Sequence, residues 1–169
     1  QELDFTVHIH TGTTGNAGTD IHADMEKGPD AVVFGNDPFI LCPFLKDHRY
    51  YAARIVFLHG AYPDIRRAAL MAHAFPNVWL DLGWTLPWIA LNFEQVLEEA
   101  IAIAPFDKIM LGTGQHNWAE MAWLSAKVAK RALKYVMEKL VAHDMLSENQ
   151  ALEAAEMILS KNAVRLYRL

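Results

Sequence analysis

Two stretches decide the fold: Phe5-Thr6-Val7-His8-Ile9-His10, which stops at Thr11-Gly12, and Arg54-Ile55-Val56-Phe57-Leu58-His59, which stops at Gly60. A third, Lys108-Ile109-Met110-Leu111, runs into Gly112-Thr113-Gly114-Gln115-His116. Each is a short run of β-branched, aliphatic or aromatic residues closed by a glycine-bearing turn, the pattern of a strand. The first two end in a histidine, and the loop after the third carries His116. Parallel α/β barrels carry their active sites at the C-terminal ends of the strands, and imidazole placed there can bind a transition metal.

Outward from these runs the chain alternates strand and helix. Strand one, about Asp4 to His10, feeds a loop rich in glycine and threonine and then a long irregular segment to about Asp37. Pro38 to His48 suits a helix. Strand two covers Ile55 to His59, followed by a helix from about Pro63 to Phe75, which Pro76-Asn77 ends. Val78 to Leu82 forms strand three, followed by a helix from about Phe93 to Ile103 that Ala104-Pro105 ends. Ile109 to Gly112 is strand four. A long helix spans about Ala119 to Ala142, with Met121, Leu124, Val128, Leu133, Val136 and Leu140 near helical spacing. A last helix starts at the Ser147 cap and ends near Leu159, with a short helical tail beyond it. The fold class is therefore α/β with a parallel sheet. Four strand–helix units are half of an eight-unit barrel, which takes about 250 residues.

The bulk properties exclude several functions. The chain has 169 residues, 53% of them hydrophobic, which rules out a disordered protein. A net charge of −5 and the absence of a basic stripe argue against nucleic acid as a partner. No run of about 18 apolar residues marks a membrane span. The single cysteine, Cys42, forms no intrachain disulfide, and a reducing, cytoplasmic setting is expected. The start, Gln1-Glu2-Leu3-Asp4, has neither an initiator methionine nor a signal peptide, so the chain is expected to continue something longer.

Candidate chemistry follows from the strand ends. His8 and His10 are two apart on a strand and so share a face, which in a barrel is the interior. Such a pair can bind one metal; the alternative for His8 is a buried histidine with a hydrogen-bond partner. His59 can ligate metal or polarise a substrate carbonyl. A carboxylate in an apolar run, such as Asp81, needs a partner; it either orients a histidine or bonds backbone amides. Gln115, His116 and Asn117 shape a pocket. Glu120 reads as a favourable charge at a helix start, and Asp107 as a surface turn residue. The histidines at 22, 48, 73 and 143 read as loop or surface groups. The five tryptophans read mostly as core, with Trp84 and Trp118 as candidate pocket walls.

Four segments together resemble a known family: Ile9-His10-Thr11-Gly12; Arg54 to His59 with Tyr62-Pro63; Pro76-Asn77-Val78-Trp79-Leu80-Asp81-Leu82; and the ending Ile158-Leu159-Ser160-Lys161-Asn162-Ala163-Val164-Arg165-Leu166-Tyr167. They look like the amidohydrolase superfamily, in its amidohydrolase-2 branch of TIM-barrel metal-dependent hydrolases, and most of all like members fused to or associated with glutamine synthetase. The resemblance covers nearly the whole chain. It implies that residues 1–169 are one domain, the C-terminal half (strands five to eight) of a (β/α)8 barrel with extra C-terminal helices. His10 then falls on the strand-five metal histidine and His59 on the strand-six histidine. The family's strand-eight motif of glycine, serine or threonine, aspartate, any residue and histidine reads here Gly112-Thr113-Gly114-Gln115-His116, so Gly114 replaces the aspartate and His116 matches the histidine.

The expectation is a hydrolase that uses a divalent metal, zinc in most of the family, on C–N or C–O bonds of a small carbonyl compound. The metal ligands would be His8, His10 and His59, and the catalytic groups His59, His116 and Asp81. The first half of the barrel would come from a missing segment, a separate chain or a second copy. Gly114 can neither take a proton nor bind metal, which keeps open a degenerate module that binds a ligand or serves assembly.

Overall fold

A computed structural model of the protein describes residues 5–12, 37–86, 89–114 and 118–169. Four parallel strands form one sheet in the order of the sequence: β1 Thr6–His10, β2 Arg54–Leu58, β3 Val78–Asp81 and β4 Ile109–Met110. The register sets Thr6 beside Arg54 and His10 beside Leu58, Phe57 beside Leu80, and Asp81 beside Met110. The helices are α1 Cys42–Leu45, α2 Ile65–Ala74, α3 Phe93–Ile101, α4 Ala119–Ala142, α5 Glu148–Glu156 and α6 Asn162–Tyr167. This is an α/β fold on a parallel four-stranded sheet, consistent with part of a TIM barrel. Among the described residues no helix is long and apolar enough to cross a membrane.

Alternation along each strand divides the sheet into two faces. One carries Ile55, Phe57, Val78, Leu80 and Ile109, all fully buried in a core with the apolar sides of α2, α3 and α4. The opposite face carries Thr6, His8 and His10 on β1, Val56 and Leu58 on β2, Trp79 and Asp81 on β3, and Met110 on β4. Its apolar part, Val56 and Met110, is covered by Leu166 of α6 with Ala163 and Tyr167. Six helical residues rise about 9 Å, and three strand spacings span about 14 Å, so side chains at both ends of α6 complete the crossing. Asn162 Nδ2 donates to the carbonyls of Phe106 (2.7 Å) and Ile109 (2.8 Å) at the start of β4. Tyr167 reaches His8 on β1, hydroxyl to Nε2, at 2.8 Å.

Three local readings need correction. The helix expected over Pro38 to His48 is broken into a 3-10 turn Pro38–Leu41, α1 and a second 3-10 turn His48–Tyr50. Two prolines remove donors, and Asp37 and Asp47 start fresh turns by accepting the backbone N–H of Phe39 and Arg49. The last helix does not stop near Leu159 but continues through a π turn, Met157–Lys161, into α6. Trp123, read as core, lies outside it at 64% exposure. The buried stripe of α4 runs through Ser125, Val128, Ala129, Ala132, Leu133, Val136 and Met137, away from Trp123.

Candidate functional site

The chain leaves β2 abruptly. His59, Gly60 and Ala61 all take positive φ (66°, 58° and 54°), a left-handed turn that ends the strand one residue before the sequence suggested. That conformation costs roughly 1–2 kcal/mol for each non-glycine residue, and such strain gathers at functional sites where neighbours enforce it. Two neighbours do so here. Thr11 Oγ1 donates to the Leu58 carbonyl at 2.7 Å. Gly12, at φ 68°, lies so close to the turn that a Cβ on it would stand 2.2 Å from the Ala61 carbonyl carbon.

The turn aims His59 inward, 8% exposed, toward His10 at the end of β1. His59 Nε2 and His10 Nδ1 are 2.9 Å apart, with ring centroids at 4.8 Å. On its other side His59 Nδ1 faces the Gly83 carbonyl at 3.4 Å. A carbonyl only accepts, so Nδ1 carries the proton and Nε2 keeps its lone pair. Burial pushes the His59 imidazole below its ordinary value, with His10 adding to the shift and the Gly83 carbonyl and Asp81 opposing it. A neutral His59 accepting from His10 Nδ1–H satisfies both rings. The facing nitrogens are close to the roughly 3.3 Å that separates two imidazole ligands on one tetrahedral cation. They fit as two ligands of a metal. Among the described residues no third histidine, cysteine or carboxylate joins them.

Asp81, at the end of β3, bonds backbone. Its Oδ1 accepts from Gly83 N at 2.9 Å and Gly112 N at 3.0 Å, tying the loops after β3 and β4 together. Because Gly83 also supplies the carbonyl that faces His59, Asp81 acts on the imidazole through one residue. His8 stands apart from the His10–His59 pair and pairs with Tyr167, whose hydroxyl is pushed up by burial and by Asp81. A small cavity of about 120 Å³ lies between Asp81, Met110, Gly112 and Tyr167. His116, with Gln115 and Asn117, lies outside the described residues, as does His22. His48, His73 and His143 are at the surface, and Asp107 sits in a turn paired with Arg165.

Sequence reading missed two participants. Gly83 acts through its backbone, for which no residue type gives a signal. Tyr167 was visible as the last residue of the C-terminal motif, but nothing in its spacing pointed to His8.

The chain matches the amidohydrolase family over residues 1–169. It belongs to that family. It is 34% identical to Protein fluG of Emericella nidulans over 122 residues, which are 72% of this chain and 14% of that one. A crystal structure from Lactobacillus casei ATCC 334, described as that of a candidate metal-dependent hydrolase, superposes with a TM-score of 0.74 at 24% identity, over 96% of this chain and 39% of the other. At that identity the likeness speaks to fold alone. This amidohydrolase chain thus spans only part of the length of either relative.

Proposed function

We propose that this amidohydrolase chain is the C-terminal half, strands five to eight, of a (β/α)8 barrel and works in a metal-dependent hydrolase on a C–N or C–O bond of a small carbonyl compound. The observation that carries the reading is the 2.9 Å His10–His59 contact at the C-terminal ends of neighbouring parallel strands, where such barrels build their sites. Family membership supports hydrolysis, and the 39% coverage of the Lactobacillus casei structure agrees with a half barrel completed by another segment, chain or copy.

His10 and His59 would hold a divalent cation, for which zinc suits a two-imidazole donor set. Such a cation supplies a polarised carbonyl and an activated water. The chain's own residues do the rest. The Gly83 carbonyl keeps His59 in the tautomer that leaves Nε2 free, a role that outer groups play for metal-bound histidines. Asp81 holds Gly83 in place for that task. His8, paired with Tyr167, sits two residues before His10 on β1, and His116 would be a further catalytic group. A cytoplasmic setting accompanies this reading.

A second reading is favoured by one residue. Gly114 has no group to handle a proton, so the chain would bind a ligand or a partner without turnover. Metal content and particle mass, measured on one purified sample, separate the two. One divalent ion in a particle larger than one chain, lost in His10→Ala, supports the hydrolase. A metal-free protein unaffected by His10→Ala overturns it.

A further inference from the structure

The left-handed turn at His59 has a counterpart across the site. The loop after β3 sets Trp84 at φ 67°, and the loop after β4 sets Gly114 at φ 63°. The two backbones meet. Trp84 N donates to the Thr113 carbonyl at 3.3 Å. A Cβ on Gly114 would stand 2.3 Å from Trp84 N, 2.5 Å from its Cα and 2.6 Å from its Cβ. These obstructing atoms belong to the main chain or lie next to it, so they cannot swing aside as a flexible side-chain tip would. Beyond them the indole packs on the His59 ring, centroids 5.1 Å apart and planes at 58°. Asp81 fixes the approach, because its two backbone partners are Gly83, just before Trp84, and Gly112, two residues before Gly114.

We infer that Trp84 is a positioning residue of the His10–His59 pair, acting on the ring face while the Gly83 carbonyl acts on Nδ1, and that Gly114 is glycine because any side chain there would expel Trp84 from its place against His59. The inference deepens the proposed site and rests on His59 being part of it. It also gives Gly114 a positive role. A carboxylate at 114 and an indole against His59 exclude each other in this loop arrangement, so restoring an acid at that position would cost the packing of the imidazole.

The test uses nitrogen-15 imidazole spectra of the full-length protein, together with titration by cobalt(II) chloride. In the wild type the His59 ring protons carry the ring-current shift of the adjacent indole. Trp84→Gly abolishes that shift, Gly114→Ala moves it as the indole is displaced, and Trp84→Phe retains an aromatic shift. Both disruptive variants weaken cobalt binding about 10–100-fold, as loss of a positioning group does, and the double variant is no worse than the poorer single one. Ser147→Ala, which destabilises a distant helix end, leaves the His59 signals in place. Wild-type His59 signals in Gly114→Ala would overturn the inference. If Gly114→Ala does not fold, unshifted His59 protons in Trp84→Gly overturn it instead. Wild-type protein that takes no cobalt but shows the expected ring shifts would sink the metal-site reading and leave the positioning role standing.

Discussion

The two faces of the sheet are built on different physics. Beneath α2, α3 and α4 the strands present Ile55, Phe57, Val78, Leu80 and Ile109 to a broad apolar core, where stabilisation scales with buried area and has no direction. On the other face the polar side chains each have particular partners: His8 with Tyr167, His10 with His59, and Asp81 with two backbone amides. Such contacts contribute about 1 kcal/mol each but fix geometry closely. Strand alternation lets one pentapeptide serve both ends, so the first face holds the fold and the second arranges the chemistry. The rim shows the same division. Its left-handed residues are costly locally and persist because neighbouring loops enforce them, Thr11 and Gly12 at the His59 turn and Gly114 at Trp84.

The sharpest break of this comparison is Phe57→Ala. It removes a fully buried ring from the core face and should cost about 3–5 kcal/mol in urea unfolding. His8→Ala, on the same sheet but the other face, loses one exposed contact and should cost no more than about 1.5 kcal/mol. Equal losses would end the division into a stabilising and a chemical face. Asp81→Ala comes next. Two backbone amides lose their acceptor, at about 1–3 kcal/mol, and the His59 ring signals should move as Gly83 is released. Asp81→Asn keeps an Oδ1 acceptor and should recover most of both; if it behaves like Ala, the negative charge rather than the hydrogen bonds holds the loops. Ser147→Ala lies away from both faces. It removes a capping box, with Ser147 Oγ accepting from Gln150 N and the Gln150 side chain from Ser147 N, and should lower stability by about 1 kcal/mol without touching metal affinity.

The core face was legible because period-2 strands and amphipathic helices declare themselves in sequence. The spacing over Val78 to Leu82 and over Ala119 to Ala142 marks these elements almost to the residue, since apolar spacing is decided by the same burial that packs them. His10 and His59 were legible as strand-end histidines, and their contact confirms that the two strand ends converge. What escaped was set by backbone. Nothing in Gly83 announces a carbonyl aimed at His59, and nothing in Gly114 announces that Trp84 stands where its side chain would be. The strand two boundary failed for the same reason: His59 continues an apolar run in sequence yet leaves it in φ. Trp123 misleads because aromatic character alone does not say which side of a helix is covered.

The smallest expected effect belongs to neither face and so serves as a baseline for both. Arg49 beside Asp47 holds that carboxyl down to about 2 from 3.8, through a hydrogen-bonded pair at the turn His48–Tyr50. Between those two values the unfolded chain binds more protons than the folded one, so stability falls as the pH drops through that window and is complete above it. The pair is open to solvent, and exposed ion pairs contribute little. Thermal melting near pH 3 should therefore lie only slightly below that at pH 7 on this account, and Arg49→Ala should make the acid slope slightly shallower. An unchanged slope would place the acid-sensitive groups outside this turn. A large change would mean that the broken helical segment around α1, which packs Leu45 into the main core, carries more of the fold than its short turns suggest.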